Sequence, residues 1–132
     1  MARTLGAACA YFAMVFACAF VLGTVRTLIV APRLGQTPAV LLEAPILLAV
    51  SWLAAGWTIK RLNIPARAWP RLVMGAIAFA LLMTVEASLS VFAFGRTVGE
   101  YLAGFATPAG AIGLIAQLGF AATPLARRIV VE

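Results

Sequence analysis

The sequence has no histidine and only two cysteines among its 132 residues. Histidine and cysteine are the usual ligands of zinc and of most transition metals, so an ordinary metal centre cannot be assembled from this set. Cys9 and Cys18 are nine residues apart, which is about 13 Å along a helix and too far for a disulfide. We therefore expect no metal and no cofactor, and we expect both thiols to be small buried apolar residues.

Charged side chains are scarce as well. They make up 11% of the chain, against 64% hydrophobic residues and a mean hydropathy of +1.07. A soluble domain normally carries about 25% charged residues, so a water-facing surface cannot be built here and the expected surroundings are a lipid bilayer. The net charge of +6 would suggest nucleic acid in a soluble protein. Here the basic residues lie between apolar runs, where topology-setting charges belong, so no nucleic-acid partner is expected.

Catalytic signatures are also missing. The sequence has no phosphate-binding glycine loop, no Ser/His/Asp set and no histidine to hold haem. The sequence therefore predicts a protein that is not an enzyme.

Four apolar runs dominate what is present, each near the roughly 20 residues that cross a bilayer as a helix. They span about 5–31, 38–59, 72–94 and 108–126, and proline, glycine and asparagine interrupt the chain between them. This pattern predicts an all-α, polytopic transmembrane four-helix bundle in a single domain, residues 1–132. The gap at 96–107 has apolar residues at helical spacing, and both a short interfacial helix and an irregular loop are open interpretations.

The first run also has features of a secretory signal peptide. Arg3 precedes it, and Ala17-Cys18-Ala19 resembles a small-residue cleavage site. The apolar run continues through Phe20 without a break, however, and is longer than a typical signal core. We expect an uncleaved transmembrane helix.

The distribution of basic residues predicts the orientation. With four spans, the two chain ends and the central loop share one side of the membrane. That side carries seven basic residues, and the other carries three. The seven are Arg3, Lys60, Arg61, Arg67, Arg71, Arg127 and Arg128; the three are Arg26, Arg33 and Arg96. The positive-inside rule then places both termini in the cytoplasm of a bacterium, with the protein in the inner membrane.

Charged residues within the apolar runs are the candidate functional residues, because a charge in a bilayer needs a partner or a watery cavity. Arg26, Glu43 and Glu86 fall at depths at which they can meet, and Ser90 follows Glu86 by one helical turn. One interpretation is a polar cluster that binds or relays a proton or cation. The other is a structural salt-bridge network without a transport role.

The fourth run has small residues at close-packing spacing, among them Gly110 and Gly113, with Gln117 beside them. Such a face allows another helix to approach closely. The predicted partner is the first helix, through Cys9, Ala13 and Ala17; dimerisation through the same face is the alternative.

Three segments carry a family resemblance: FVLGTVR at 20–26, APRLG at 31–35 and LLEAP at 41–45. With them the chain resembles uncharacterised small four-span integral membrane proteins of proteobacteria. The resemblance covers the first half of the chain, and the second half mainly by hydropathy and by the glutamate of the third run. It implies a fold and no activity.

Two functions are consistent with these features. The first is a non-enzymatic structural or accessory subunit of a larger membrane complex. The alternative is a small proton- or ion-coupled transporter or channel that uses the intramembrane carboxylates. A homo-oligomer is expected in that case, since four short helices enclose little pathway alone.

Overall fold

The computed structural model describes residues 2–93 and 95–129, except for the side chains at positions 31, 36, 128 and 129. No strand occurs in these ranges, and four helices are long and apolar enough to cross a membrane. The predicted all-helical class is thus confirmed, with four long apolar helices that could span a membrane. The helices are α1 (Ala2–Val25), α2 (Ala31–Leu34), α3 (Gln36–Leu62), α4 (Ala68–Ser88), α5 (Val98–Ala103) and α6 (Pro108–Ile129). Two π-helical turns, Arg26–Val30 and Leu89–Ala93, extend α1 and α4, and a 3₁₀ turn, Gly104–Ala106, follows α5.

The long helices extend beyond their apolar runs. Helix α3 ends at Leu62 instead of residue 59, and Asn63 closes it in the left-handed conformation with its N–H bonded to the Ile59 carbonyl. Basic residues in this last turn are favourable because the carboxyl end of a helix is its negative end. Helix α4 likewise begins at Ala68 instead of residue 72. The predicted end of the third span, residue 94, lies outside the described residues.

The four long helices form a ring in which α1 and α6 each pack against both α3 and α4. Tyr11 of α1 and Phe120 of α6 meet across the centre of this ring, with their rings stacked at 4.5 Å between centroids. Both side chains are buried, and Ala8, Ala55 and Met74 surround them in the same core cluster. The core therefore consists of two aromatic rings enclosed by small and flexible side chains.

A proline explains why the Tyr11 hydroxyl is needed in this core. Pro124 lies inside α6 and has no N–H, so the carbonyl four residues earlier, that of Phe120, loses its helical donor. The Tyr11 hydroxyl donates to this carbonyl at 2.5 Å. An unsatisfied carbonyl in a dry interior is costly, so α1 supplies the donor that α6 lacks.

Removing this hydroxyl has a predictable cost. Tyr11→Phe is expected to lower the free energy of unfolding by about 1–3 kcal/mol, because it leaves the buried Phe120 carbonyl without a donor. Pro124→Ala restores the helical N–H, so Tyr11→Phe is expected to cost less in that background. The measurement is a double-mutant cycle of unfolding in mixed detergent micelles. An equal cost of Tyr11→Phe in both backgrounds would contradict the explanation.

The closest helix contacts of α6 are not those predicted from its small residues. Cys9, Ala13 and Ala17 of α1 are exposed on the outside of the bundle, so the predicted pairing of this face with α6 is wrong. The same finding corrects the expectation that Cys9 and Cys18 are buried, since both are exposed. Helix α6 instead approaches α4 where Gly75 lies against the Ala121 backbone.

Gly75 has no room for a side chain. A methyl group there would collide with the carbonyl group of Ala121, which is backbone and cannot rotate away. We expect Gly75→Ala to lower the free energy of unfolding by about 1–3 kcal/mol through overpacking. Gly6→Ala in α1 is the matched control, because nothing lies within 4 Å of the added methyl. Equal thermal midpoints for the two variants would show that α4 and α6 are not this close.

Two basic residues of the predicted cytoplasmic side have packing roles in addition to any role in topology. Arg71 is 3% exposed, and its Nη1 donates to the Pro124 carbonyl at 3.1 Å. The guanidinium of Arg127 lies 4.5 Å from the centre of the Trp52 ring, and it fills the space beside Gly56. Their positive charge is therefore tied to the ends of α4 and α6 through specific contacts.

The segment between α4 and α6 contains a short helix, so of the two open interpretations the structure has the helix and not the irregular loop. The side chain of Thr97 accepts from the Glu100 N–H, and the Glu100 carboxylate accepts from the Thr97 N–H. This reciprocal pair is a capping box, which satisfies two backbone donors at the start of α5. Helix α5 places Tyr101 above the bundle at the end of α4.

Candidate functional site

A cavity of about 160 Å³ lies between α1, α3, α4 and α6. Arg26, Glu43, Glu86 and Gln117 line one part of it, and we call the whole space the polar cavity. The rest of its lining is mainly apolar, and we call these side chains the apolar walls: Val15, Val40, Ala44, Leu47, Leu82, Ala116 and Phe120. One water molecule needs on the order of 10–15 Å³ of such space, so the cavity is large enough for several waters or a small ligand.

Arg26 and Glu43 form a salt bridge across the cavity. Arg26 Nη1 lies 2.6 Å from Glu43 Oε2, and the side chains are 27% and 10% exposed. Arg26 is the first residue of the π-helical turn at the end of α1, and such turns often occur at functional sites because they redirect side chains. The guanidinium compensates the negative charge of Glu43.

Glu86 has neutral donors instead of a bonded cation. Gln117 Nε2 donates to both carboxylate oxygens at 2.8 Å, and the Tyr101 hydroxyl approaches Oε2 at 3.4 Å. With both carboxylates ionised, the polar cavity holds two negative charges and one positive charge. The formal charge of the cavity is then −1. This remaining negative charge belongs to Glu86, because its hydrogen bonds come from neutral groups.

Tyr101 covers Glu86 from outside the membrane spans. Burial, followed by the negative charge of Glu86, raises the pKa of the Tyr101 phenol to about 12. The phenol is therefore protonated throughout the physiological pH range and keeps its hydrogen for donation to the carboxylate. Nothing in the spacing of a loop residue and a helix residue predicts the contact between Tyr101 and Glu86.

Three buried polar atoms have no hydrogen-bond partner within the described part of the chain: Arg26 Nε, Ser90 Oγ and Gln117 Oε1. Two of them, an N–H donor and a carbonyl acceptor, belong to residues that line the polar cavity. Buried polar atoms in proteins are almost always paired. The cavity thus offers one donor and one acceptor beyond those used by its own hydrogen bonds.

The sequence-predicted site residues fall into two groups. Arg26, Glu43 and Glu86 come together around the polar cavity, whereas Ser90 is buried one turn beyond Glu86 and does not line it. Among the residues assigned to a packing face, Gly113 and Gln117 line the cavity, while Gly110 lies against the Gly104 carbonyl of the connecting segment. The residues predicted to form one packing face on α6 are therefore divided between the polar cavity and the connecting segment. These residues lie on the part of α6 that turns toward the cavity and toward α5.

The salt bridge can be tested by a double-mutant cycle. Arg26→Gln is expected to lower the free energy of unfolding by about 1–3 kcal/mol, because it removes a charged hydrogen bond to Glu43. The cost should stay below that of a fully buried pair, since the guanidinium is partly exposed. The double variant with Glu43→Gln is expected to recover part of the loss. Additive single costs would mean that the two side chains do not interact.

The four long apolar helices and the charged residues enclosed between them have the features of a multi-pass helical membrane protein. In the described ranges, no group of three or more His, Cys, Asp or Glu residues could hold a metal ion. No protein-family model, curated protein or solved structure matches the chain in sequence or fold. The chemical properties of the polar cavity therefore follow from its own residues.

Proposed function

We propose that the chain is a small, non-enzymatic transport protein that moves a proton or small cation by way of Glu86. The observation that carries this proposal is the composition of the polar cavity, which has two carboxylates and one arginine, and that arginine is bonded to Glu43 alone. A purely structural cluster would be expected to balance its charges, because an uncompensated charge in a membrane interior is expensive. A site that must accept and release a positive charge needs the imbalance.

The roles of the two carboxylates follow from their partners. Glu43 is held by Arg26 at 2.6 Å, so its charge is compensated without a ligand. Glu86 is held by the neutral Gln117 and Tyr101, which orient a carboxylate and leave its charge available. We assign the exchange of the proton or cation to Glu86, and we assign to the Arg26–Glu43 pair the task of fixing the opposite wall of the cavity.

The outside of the bundle is apolar on all four long helices, as expected for a surface that faces lipid. Large apolar side chains are exposed on each of the four long helices, including Phe20, Leu53, Leu72 and Ile115. The accessory-subunit function stays the alternative prediction, and its signature would be a stoichiometric partner after purification in mild detergent.

The location and assembly belong to the same proposal. Seven basic residues against three favour cytoplasmic termini in a bacterial inner membrane, in keeping with the resemblance to small proteobacterial membrane proteins. Four short helices enclose little pathway alone, so we propose that the working form is a homo-oligomer.

Proton movement in vesicles tests this function. Purified protein in liposomes that contain a pH-sensitive dye is expected to speed the collapse of an imposed potassium-driven proton gradient. Glu86→Gln keeps the shape and the acceptor oxygen of the side chain and removes the titratable group, so its rate is expected to fall to that of empty liposomes.

Glu100→Gln is the matched control for this measurement. Glu100 is exposed on α5, and glutamine is equally suited to the third position of a capping box, so the control is expected to retain the original rate. A folded Glu86→Gln variant with the original rate would contradict the proposed role of Glu86. Original protein no faster than empty liposomes would contradict proton transport.

A further inference from the structure

We propose that the ligand of the polar cavity is a small primary ammonium ion with an apolar body about the size of one aromatic ring. This inference rests on the proposed function and names the chemical class of its substrate. Three properties of the cavity lead to it: its charge, its unused hydrogen-bonding atoms and the nature of its walls.

The charge of the cavity selects a monovalent cation. Arg26 compensates Glu43, and Glu86 in its ionised form supplies the one negative charge that remains. A dication would overcompensate this charge in surroundings of low dielectric constant, and an anion would be repelled by both carboxylates. A ligand with a single positive charge brings the whole site to neutrality.

The unused acceptors select a cation that carries several N–H groups. Gln117 turns its Nε2 to Glu86, which leaves its buried Oε1 without a donor. Glu43 uses one of its two oxygens for Arg26 and can accept further bonds with the other. A primary ammonium group has three N–H donors, which matches an acceptor set drawn from Glu86, Glu43 and Gln117.

The apolar walls favour a ligand that carries an apolar group beside its charged nitrogen. Most of the lining away from the charged residues is aliphatic or aromatic, and Phe120 belongs to it. An apolar protein cavity of about 150 Å³ is known to take up benzene, and the polar cavity has about 160 Å³. A ring attached to an aminomethyl group therefore fits in size, with its ring on the apolar walls and its nitrogen among the acceptors.

Two other cations fit the cavity less well. A hydrated metal ion needs a shell of oxygen ligands, and much of the lining is hydrocarbon. A quaternary ammonium ion has the charge but no N–H, so it would leave the Gln117 carbonyl unpaired at a cost. The geometry therefore favours primary ammonium ions over quaternary ammonium ions of similar size.

Calorimetric titration of the full-length protein in detergent tests the inference with three probes: benzylammonium, benzyltrimethylammonium and benzyl alcohol. Benzylammonium is expected to bind at least about tenfold more tightly than either of the others, since each lacks a charged N–H donor. Glu86→Gln is expected to weaken benzylammonium binding by about 10- to 100-fold, and Glu100→Gln is expected to leave it unchanged.

A cavity-filling variant gives a second test that does not alter a charge. Nothing lies within 4 Å of a Cβ atom added at Gly113, which lines the polar cavity. Gly113→Leu is therefore expected to fold and to lose benzylammonium binding. Gly6→Leu is the matched control, because a Cβ atom there also meets nothing within 4 Å and Gly6 does not line the cavity; it is expected to bind as the original protein does.

The outcomes separate this inference from the proposed function. Glu86-dependent proton movement without benzylammonium binding would overturn the ligand class and leave the transport function standing. Benzylammonium binding that depends on Glu86 and Gly113, without proton movement, would support the ligand class and contradict proton transport. Equal binding of the three probes, or full binding by Gly113→Leu, would overturn the inference, since the micelle alone would explain it.

Discussion

The absence of water from a bilayer interior is the constraint on which the long-range polar contacts of this structure depend. A polar group there must find its partner within the protein. Pro124 deprives the Phe120 carbonyl of its helical donor, and the Tyr11 hydroxyl replaces it across the bundle. Gln117 in turn bonds both oxygens of Glu86. These contacts determine how the helices face one another, which apolar side chains alone specify poorly.

The same constraint explains why the balance of charges in the polar cavity matters. Arg26 and Glu43 satisfy each other, and the neutral donors of Glu86 orient its carboxylate without cancelling its charge. A fully paired cluster would stabilise the fold and exchange nothing. A cluster with one more carboxylate than arginine is stabilised when a proton or cation arrives, and this connects the packing of the bundle with the proposed transport function.

Hydropathy was sufficient to predict the four helices, because twenty apolar residues in succession have few alternatives to a membrane span. The depth of the charged residues along their helices was sufficient to suggest that Arg26, Glu43 and Glu86 could meet. The rotation of each helix was not predictable. In a soluble protein the polar face of a helix indicates which side is exposed. In lipid both the buried and the outer side of α1 are apolar. Hydropathy therefore does not indicate that Ala13 lies on the outside of the bundle.

The partners of Glu86 escaped prediction for a related reason. Gln117 is the polar residue in the middle of α6, and its small neighbours made a helix-packing face the simpler interpretation. Tyr101 belongs to a connecting segment, and its position above Glu86 depends on the capped start of α5. Both contacts depend on tertiary geometry that has no periodic signature in the sequence.

The central claim is that Glu86, and not Glu43, is the carboxylate that exchanges a proton. A hydrophobic carbodiimide reacts with protonated carboxyl groups within a membrane, and peptide mass spectrometry locates the adduct. The account predicts labelling at Glu86, protection by benzylammonium, and little labelling at Glu43, whose Oε2 is bonded to Arg26. Labelling of Glu43 in preference to Glu86, or none at Glu86 at any pH, would contradict it.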